Sequence, residues 1–134
     1  MNTAVIGLGI GLAHVAGYLK SPTASLSYVC DLQPERLTRL GGTFDQGSFS
    51  VLERLFTAEE KASSWEALGV RPTGDLEEIL SDESVELVSL CTPDYTHYEL
   101  ALRCLEAGKH LLLEKPLALE NEKAEEILRK AKEM

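Results

Sequence analysis

The sequence predicts an α/β fold, a doubly wound parallel sheet with helices on both faces in a single three-layer domain. Short apolar runs alternate with helical patterns along the chain, a glycine-rich turn follows the first run, and the later runs stop at polar or proline-containing turns. Strands that alternate with helices pair in parallel, because each crossover returns the chain to the same end of the sheet, and such sheets are covered on both faces.

The first strand is read at residues 3 to 6, where Thr3, Ala4, Val5 and Ile6 run into Gly7. A helical pattern then extends through Tyr18 and Leu19 until Ser21-Pro22 stops it. Residues 26 to 30 form the second strand, closed by Asp31, and Pro34 suits the first position of a helix carrying Leu37 and Leu40. Residues 41 to 64 break the alternation. Gly41-Gly42 and Gln46-Gly47 bracket a loop, and Val51, Leu52, Leu55 and Phe56 suggest a short amphipathic helix, so this stretch is read as an insertion.

A helix over residues 64 to 68 is expected to end at Gly69, with a short third strand near 70 to 73 placed at a sheet edge by Pro72. A short helix over 75 to 80 leads to a buried fourth strand over 85 to 91. The next helix runs from Thr96 to Ala107, with Thr96 and Glu99 spaced as a capping box and Gly108 as its stop. His110 to Leu113 is the fifth strand. Ala124, Ile127, Leu128 and Ala131 mark the buried stripe of a last helix, whose surface pairs would be Glu125 with Arg129 and Glu126 with Lys130.

A chain of 134 residues suits one domain with one core. No run approaches the roughly 20 apolar residues of a membrane helix, and Met1 leads into a strand without the features of a signal peptide. The expectation is a cytoplasmic protein with no membrane partner. The 13 basic against 22 acidic residues give a net charge of −9 without a basic cluster, which argues against a nucleic-acid partner. Cys30, Cys91 and Cys104 are widely spaced in apolar segments and read as reduced core thiols. No C-x-x-C, H-E-x-x-H, G-x-x-x-x-G-K-[ST] or G-x-S-x-G pattern is present, so metal hydrolysis, nucleotide hydrolysis and serine-esterase chemistry are set aside, and no metal site is expected.

The turn Gly7-Leu8-Gly9-Ile10-Gly11 lies where a strand passes into a helix. Glycines there let backbone approach a pyrophosphate, and the helix N-terminus supplies free N–H groups and a positive dipole end. This is anion binding that needs no global positive charge. The spacing is G-x-G-x-G, with Leu12 where the third glycine of G-x-G-x-x-G is expected. Asp31 closes the second strand 24 residues after Gly7, the place of a carboxylate that accepts hydrogen bonds from an adenosine ribose. Such a carboxylate repels a 2′-phosphate, so NAD is favoured over NADP, and Arg36 would soften the preference if it reached the ribose.

At the fourth strand's end stands Thr92-Pro93-Asp94, with His97 three residues on. At the fifth stands Glu114-Lys115-Pro116. With the glycine turn and His14 soon after it, these stretches make the whole chain resemble the N-terminal NAD(P)-binding Rossmann domain of the Gfo/Idh/MocA oxidoreductases, the family of glucose-fructose oxidoreductase and inositol dehydrogenases. The resemblance implies that Lys115 lies near nicotinamide and substrate and polarises the reacting hydroxyl or carbonyl. It also implies that Glu114 sits by the cofactor ribose, that Thr92 and Pro93 line the nicotinamide side, and that Pro116 fixes the chain direction there. Asp94 stands where the family usually has Asn, replacing an amide donor with a carboxylate. His97 belongs to the same stretch, although by its position it caps or packs its helix rather than catalysing. His14 and His110 are read as structural. An ammonium such as that of Lys115 can hydrogen-bond to an alkoxide developing during hydride transfer, and burial would lower its pKa.

In this family a second, C-terminal α/β domain normally supplies most of the substrate pocket, the acid/base residue and the oligomer interface. The sequence does not contain one. The expected function is therefore the dinucleotide-binding part of an oxidoreductase acting on a sugar, polyol or related hydroxy compound, a homo-oligomer when completed, that binds cofactor alone but turns over little substrate. The alternative is a non-catalytic NAD(H)-binding regulatory or dimerising module.

Overall fold

Alternation along the strands sorts the side chains of the computed structural model, which describes residues 1–46 and 50–134, into two cores. Residues 47 to 49, and with them Gly47 of the bracketing loop, lie outside the described residues. Five strands form one all-parallel sheet: β1 (Asn2–Ile6), β2 (Ser25–Cys30), β3 (Arg71–Thr73), β4 (Leu87–Leu90) and β5 (His110–Leu113), in the order β3-β2-β1-β4-β5. Successive side chains of a strand point to opposite faces. Ala4 and Ile6 of β1 accordingly join Tyr28, Cys30, Val88 and Leu90 in one core, and Val5 joins Leu26 and Val29 in the other.

The helices divide between these faces. Helix α1 (Gly11–Lys20) packs Leu12, Val15 and Ala16 on the Val5 side. On the opposite face α3 (Leu76–Ser81) contributes Ile79, α4 (His97–Glu106) contributes Ala101, Cys104 and Leu105, and α5 (Asn121–Lys132) contributes Ile127. The connections change face at β1, so the chain leaves β1 and β4 in opposite directions. In open α/β sheets this is the crevice where ligands bind.

The stretch read as an insertion is part of the β2–β3 crossover and covers the second core. It forms 3₁₀ turns over Leu40–Gln46 and Ser50–Leu55 and a short α2 (Ala58–Ala62). Leu40, Phe56 and Trp65 from this crossover are all buried in the core shared with α1. Trp65 is fully buried, which stabilises the fold by roughly 3 kcal/mol, and its Nε1 donates to Arg36 O at 2.8 Å. The helix expected from Pro34 is a single 3₁₀ turn, Pro34–Leu37, and the one expected over 64 to 68 is another, Glu66–Leu68, ended by Gly69 at φ 78°.

Two further expectations are corrected. Thr96 and Glu99 do not form a capping box, because a 3₁₀ turn over Asp94–Thr96 leads into α4 and Thr96 Oγ1 turns back to donate to Pro93 O at 2.6 Å. The reciprocal box belongs to α2: Glu60 N–H donates to Thr57 Oγ1 at 3.1 Å and Thr57 N–H to Glu60 Oε2 at 2.7 Å. The expected Glu126–Lys130 pair gives way to partners on α4, with Lys130 paired to Glu106 and Glu126 accepting from Tyr98 Oη. Gly108 ends α4 as expected. Its φ is 74°, and the Gly108 and Lys109 N–H groups close on the carbonyls of Leu105 and Cys104.

Candidate functional site

The residues singled out from the sequence collect at the C-terminal ends of the strands. Gly7 leaves β1 with φ 92°, which glycine alone adopts without strain, and a Cβ there would lie 2.5 Å from the carbonyl oxygen of Cys91. The turn therefore runs directly against the exit of β4. At Gly11 a Cβ would meet Val5 Cγ1 at 2.9 Å and Cys91 Cβ at 3.2 Å, so this glycine lets the start of α1 lie on the sheet. Leu12, in the place of the expected third glycine, is buried in the core. The Leu12 and Ala13 N–H groups close on the carbonyls of Gly9 and Ile10. Ile10 makes no side-chain cap, which leaves the positive end of the α1 dipole at the turn.

Asp31 sits behind this turn with its side chain 8% exposed. Its Oδ2 accepts the Leu8 N–H at 2.8 Å and Arg36 Nη1 at 3.2 Å, and its Oδ1 accepts the Gln33 N–H at 2.9 Å. The carboxylate thus fixes the glycine turn to the segment that follows β2. Arg36 reaches the carboxylate itself, next to the position from which it was expected to modulate cofactor choice.

On the other side of β1, Thr92 Oγ1 donates to Thr96 Oγ1 at 2.6 Å, while Pro93 and the carboxylate of Asp94 are exposed. Asp94 Oδ1 accepts the Tyr95 N–H at 2.8 Å. His97 is 1% exposed, with Nδ1 2.6 Å from Pro116 O and Nε2 2.9 Å from Thr92 O. Both partners are acceptors, so the ring serves both as imidazolium and only one as the neutral form. His97 ties the turn after β4 to the turn after β5. Any influence it has on a ligand passes through the backbone it holds.

Glu114 follows β5. Its Oε1 accepts from His14 Nε2 at 3.1 Å and its Oε2 from the Lys115 N–H at 3.3 Å. The His14 hydrogen bond, helped by the Lys115 N–H and partly opposed by burial, holds the Glu114 carboxyl below its ordinary range. Lys115 and Pro116 are exposed and joined by a cis peptide bond. The burial invoked for Lys115 from the sequence is therefore not supplied by this domain. His14, read as structural, is a direct hydrogen-bond partner of Glu114. The available signal was its spacing of four from Tyr18 on one helix face, together with Ser89, a lone hydroxyl in an apolar strand. His110, the first residue of β5, is exposed.

Burial pushes the Cys30 and Cys91 thiols up to about 12 and Cys104 up to about 11, in keeping with reduced core residues. Among the described residues there is no group of His, Cys, Asp and Glu that could hold a metal ion, and no helix is long and apolar enough to cross a membrane.

Backbone bared of side chains at a helix N-terminus, one strand away from a carboxylate, fits the pyrophosphate and ribose of a dinucleotide. These features define a dinucleotide-binding domain of the Rossmann type. The chain belongs to the Gfo/Idh/MocA oxidoreductase family with an NAD-binding Rossmann fold, whose model matches residues 1–134. It is 44% identical over 59 residues to the scyllo-inositol 2-dehydrogenase (NADP⁺) of Bacillus subtilis, covering 44% of this chain and 16% of that protein. It is 29% identical over 134 residues to the UDP-N-acetylglucosamine 3-dehydrogenase of Acidithiobacillus ferrooxidans, covering 99% of this chain and 34% of that one. The fold is that of a 3-ketoreductase from Actinomadura kijaniata solved with NADP, at TM-score 0.72 and 22% identity, over 99% of this chain and 34% of the other. The chain thus spans about a third or less of the length of these relatives.

Proposed function

We propose that this domain binds NAD(H) in preference to NADP(H) and forms the cofactor half of an oxidoreductase acting on a sugar, polyol or related hydroxy compound. The observation that carries the reading is the Asp31 carboxylate, which is anchored to the glycine turn through Leu8 N–H and stands where a ribose would need an acceptor. Gly7 to Gly11 and the start of α1 would hold the pyrophosphate. Thr92, Pro93 and Asp94 would flank the nicotinamide on one side and Glu114, Lys115 and Pro116 on the other. The nicotinamide, when bound, supplies hydride acceptance or donation.

The chain's own groups then have distinct tasks. Lys115 offers its ammonium to the reacting oxygen, and Glu114 keeps a carboxylate beside it. His97 holds the two flanking turns together from below. The remaining acid/base group and most substrate contacts would come from a second domain, and the assembled protein would be a homo-oligomer. The inositol and sugar-nucleotide names of the relatives support the substrate class.

Paired calorimetric titrations of the chain with NADH and with NADPH at one salt and pH test this. Saturable binding with NADH preferred supports the reading. Equal affinities would remove the specificity role of Asp31, and no binding of either nucleotide would remove the function.

A further inference from the structure

Strand β4 is apolar except for Ser89, which is 0% exposed and still carries a hydroxyl. Burying a hydroxyl is costly unless its hydrogen bonds are made. Ser89 Oγ lies 2.6 Å from Tyr18 Oη and 3.2 Å from His14 Nδ1, and His14 Nε2 lies 3.1 Å from Glu114 Oε1. A carboxylate only accepts, so Nε2 carries a proton and donates it. With Nδ1 unprotonated, it accepts from the Ser89 hydroxyl, whose oxygen in turn accepts from Tyr18. In that arrangement the donors run one way, from Tyr18 through Ser89 and His14 to Glu114.

This chain connects parts of the site that are far apart in sequence. His14 and Tyr18 lie on α1, the helix that begins at the glycine turn, and Glu114 opens the turn after β5, 100 residues beyond His14. The groups meeting the ring are Ser89 from β4 and Glu114 from the end of β5, while Lys115 and Cys91 neighbour that carboxylate. The same hydrogen bond is the chief cause that holds the Glu114 carboxyl below its ordinary range.

We propose that His14, its ring seated by Ser89 and Tyr18, is a positioning residue that holds Glu114 in place beside Lys115 and so fixes the nicotinamide end of the site relative to the pyrophosphate end. This inference rests on the dinucleotide reading above. A general loosening of the fold would weaken every nucleotide alike, whereas positioning at the nicotinamide end weakens only a ligand that reaches it.

The test compares wild type, His14→Ala and His14→Gln in titrations with NADH and with ADP-ribose, which lacks the nicotinamide. His14→Ala is expected to weaken NADH by about five- to tenfold, less than the full worth of a hydrogen bond to a charged group because the loss reaches the nucleotide only through Glu114, and to leave ADP-ribose within about twofold. His14→Gln keeps an N–H donor near Nε2 and should restore most of the loss. Equal weakening of both nucleotides, or none, would overturn the proposal. A carboxyl-carbon NMR titration of Glu114, made without nucleotide, gives an independent readout. Its midpoint should rise toward the ordinary carboxylate range in His14→Ala, and move less in the same direction in Tyr18→Phe, which keeps the ring's shape. An unmoved midpoint in both would overturn the link even if all variants bind. A wild-type chain that binds neither nucleotide would sink the dinucleotide reading and the binding role of His14, with the Glu114 titration still deciding whether His14 holds the carboxylate.

Discussion

Asp31→Ser removes a carboxylate with two separable tasks, and the two losses can be read apart. Structurally it accepts the Leu8 N–H at 2.8 Å, the Gln33 N–H at 2.9 Å and Arg36 Nη1 at 3.2 Å. A serine hydroxyl is shorter and can replace no more than one of these contacts. An unsatisfied buried N–H costs about 1–3 kcal/mol and the broken buried ion pair adds to it, so the variant should lose on the order of 2–4 kcal/mol of stability. With a urea slope near 2 kcal/mol/M, that is a fall of about 1.5 M in the unfolding midpoint.

In binding, a ribose hydroxyl loses its bond to a charged acceptor, worth roughly 1.5–3 kcal/mol, so NADH should weaken by about ten- to 150-fold. NADPH should bind about tenfold more tightly once its 2′-phosphate no longer faces a like charge across a few ångströms of screened medium. Urea melts establish a temperature at which the variant is folded, and calorimetric titrations with both nucleotides follow at that temperature. A folded Asp31→Ser chain whose affinities for both nucleotides match wild type would refute the placement of the ribose at Asp31.

Gly7→Ala combines a positive φ with a Cβ 2.5 Å from Cys91 O, so it should cost about 2 kcal/mol or more in a urea melt and weaken NADH as well; a neutral effect would mean the turn relaxes freely. His97→Ala leaves the Thr92 and Pro116 carbonyls without their donor and opens a cavity, for a loss of about 3–5 kcal/mol, and a denaturation midpoint equal to wild type would contradict that clamp. The three cysteines should resist a thiol-reactive dye in the native chain and all react in denaturant, because burial holds the thiols up at about 11 to 12; fast native labelling would show that a core has opened. Glu114, held below its unfolded value chiefly by His14, contributes stability above the ordinary carboxylate range that is lost as pH falls through its lowered native value. Wild type should therefore lose more stability than Glu114→Gln between about pH 6 and about pH 3 in matched urea melts, and parallel losses would remove the contribution.

The layers were legible because apolar periodicity reports them directly: Val5 and Ile6 face opposite ways in any strand, and Pro72 can lie only at an edge. The glycine turn and the Asp31 position were legible because they follow a strand at fixed spacing. The β2–β3 crossover was not, since 3₁₀ turns leave no 3.6-residue stripe and Leu40, Phe56 and Trp65 reach the core one at a time. Thr96 and Glu99 carried the letters of a capping box, but capping needs an extended residue before the helix, and Thr96 already has φ −94° and ψ −13°. The roles of His14, Ser89 and Tyr18 were hidden for a further reason. Their partner lies on another strand, and the pairing of α1 with the end of β5 exists only once the sheet order is known.

The approach of Gly7 to the Cys91 carbonyl also bears on the thermodynamics of ligand entry. A floor made of main chain, pressed between two central strands, has no rotamers to freeze, whereas an immobilised side chain typically costs about 0.5–1.5 kcal/mol on association. Its shape is set when the sheet forms, before any nucleotide arrives. On the proposed binding mode the ordering that accompanies binding would be confined to exposed groups such as Lys115 and Asp94, so sequence changes there would retune affinity without remaking the seat beneath them.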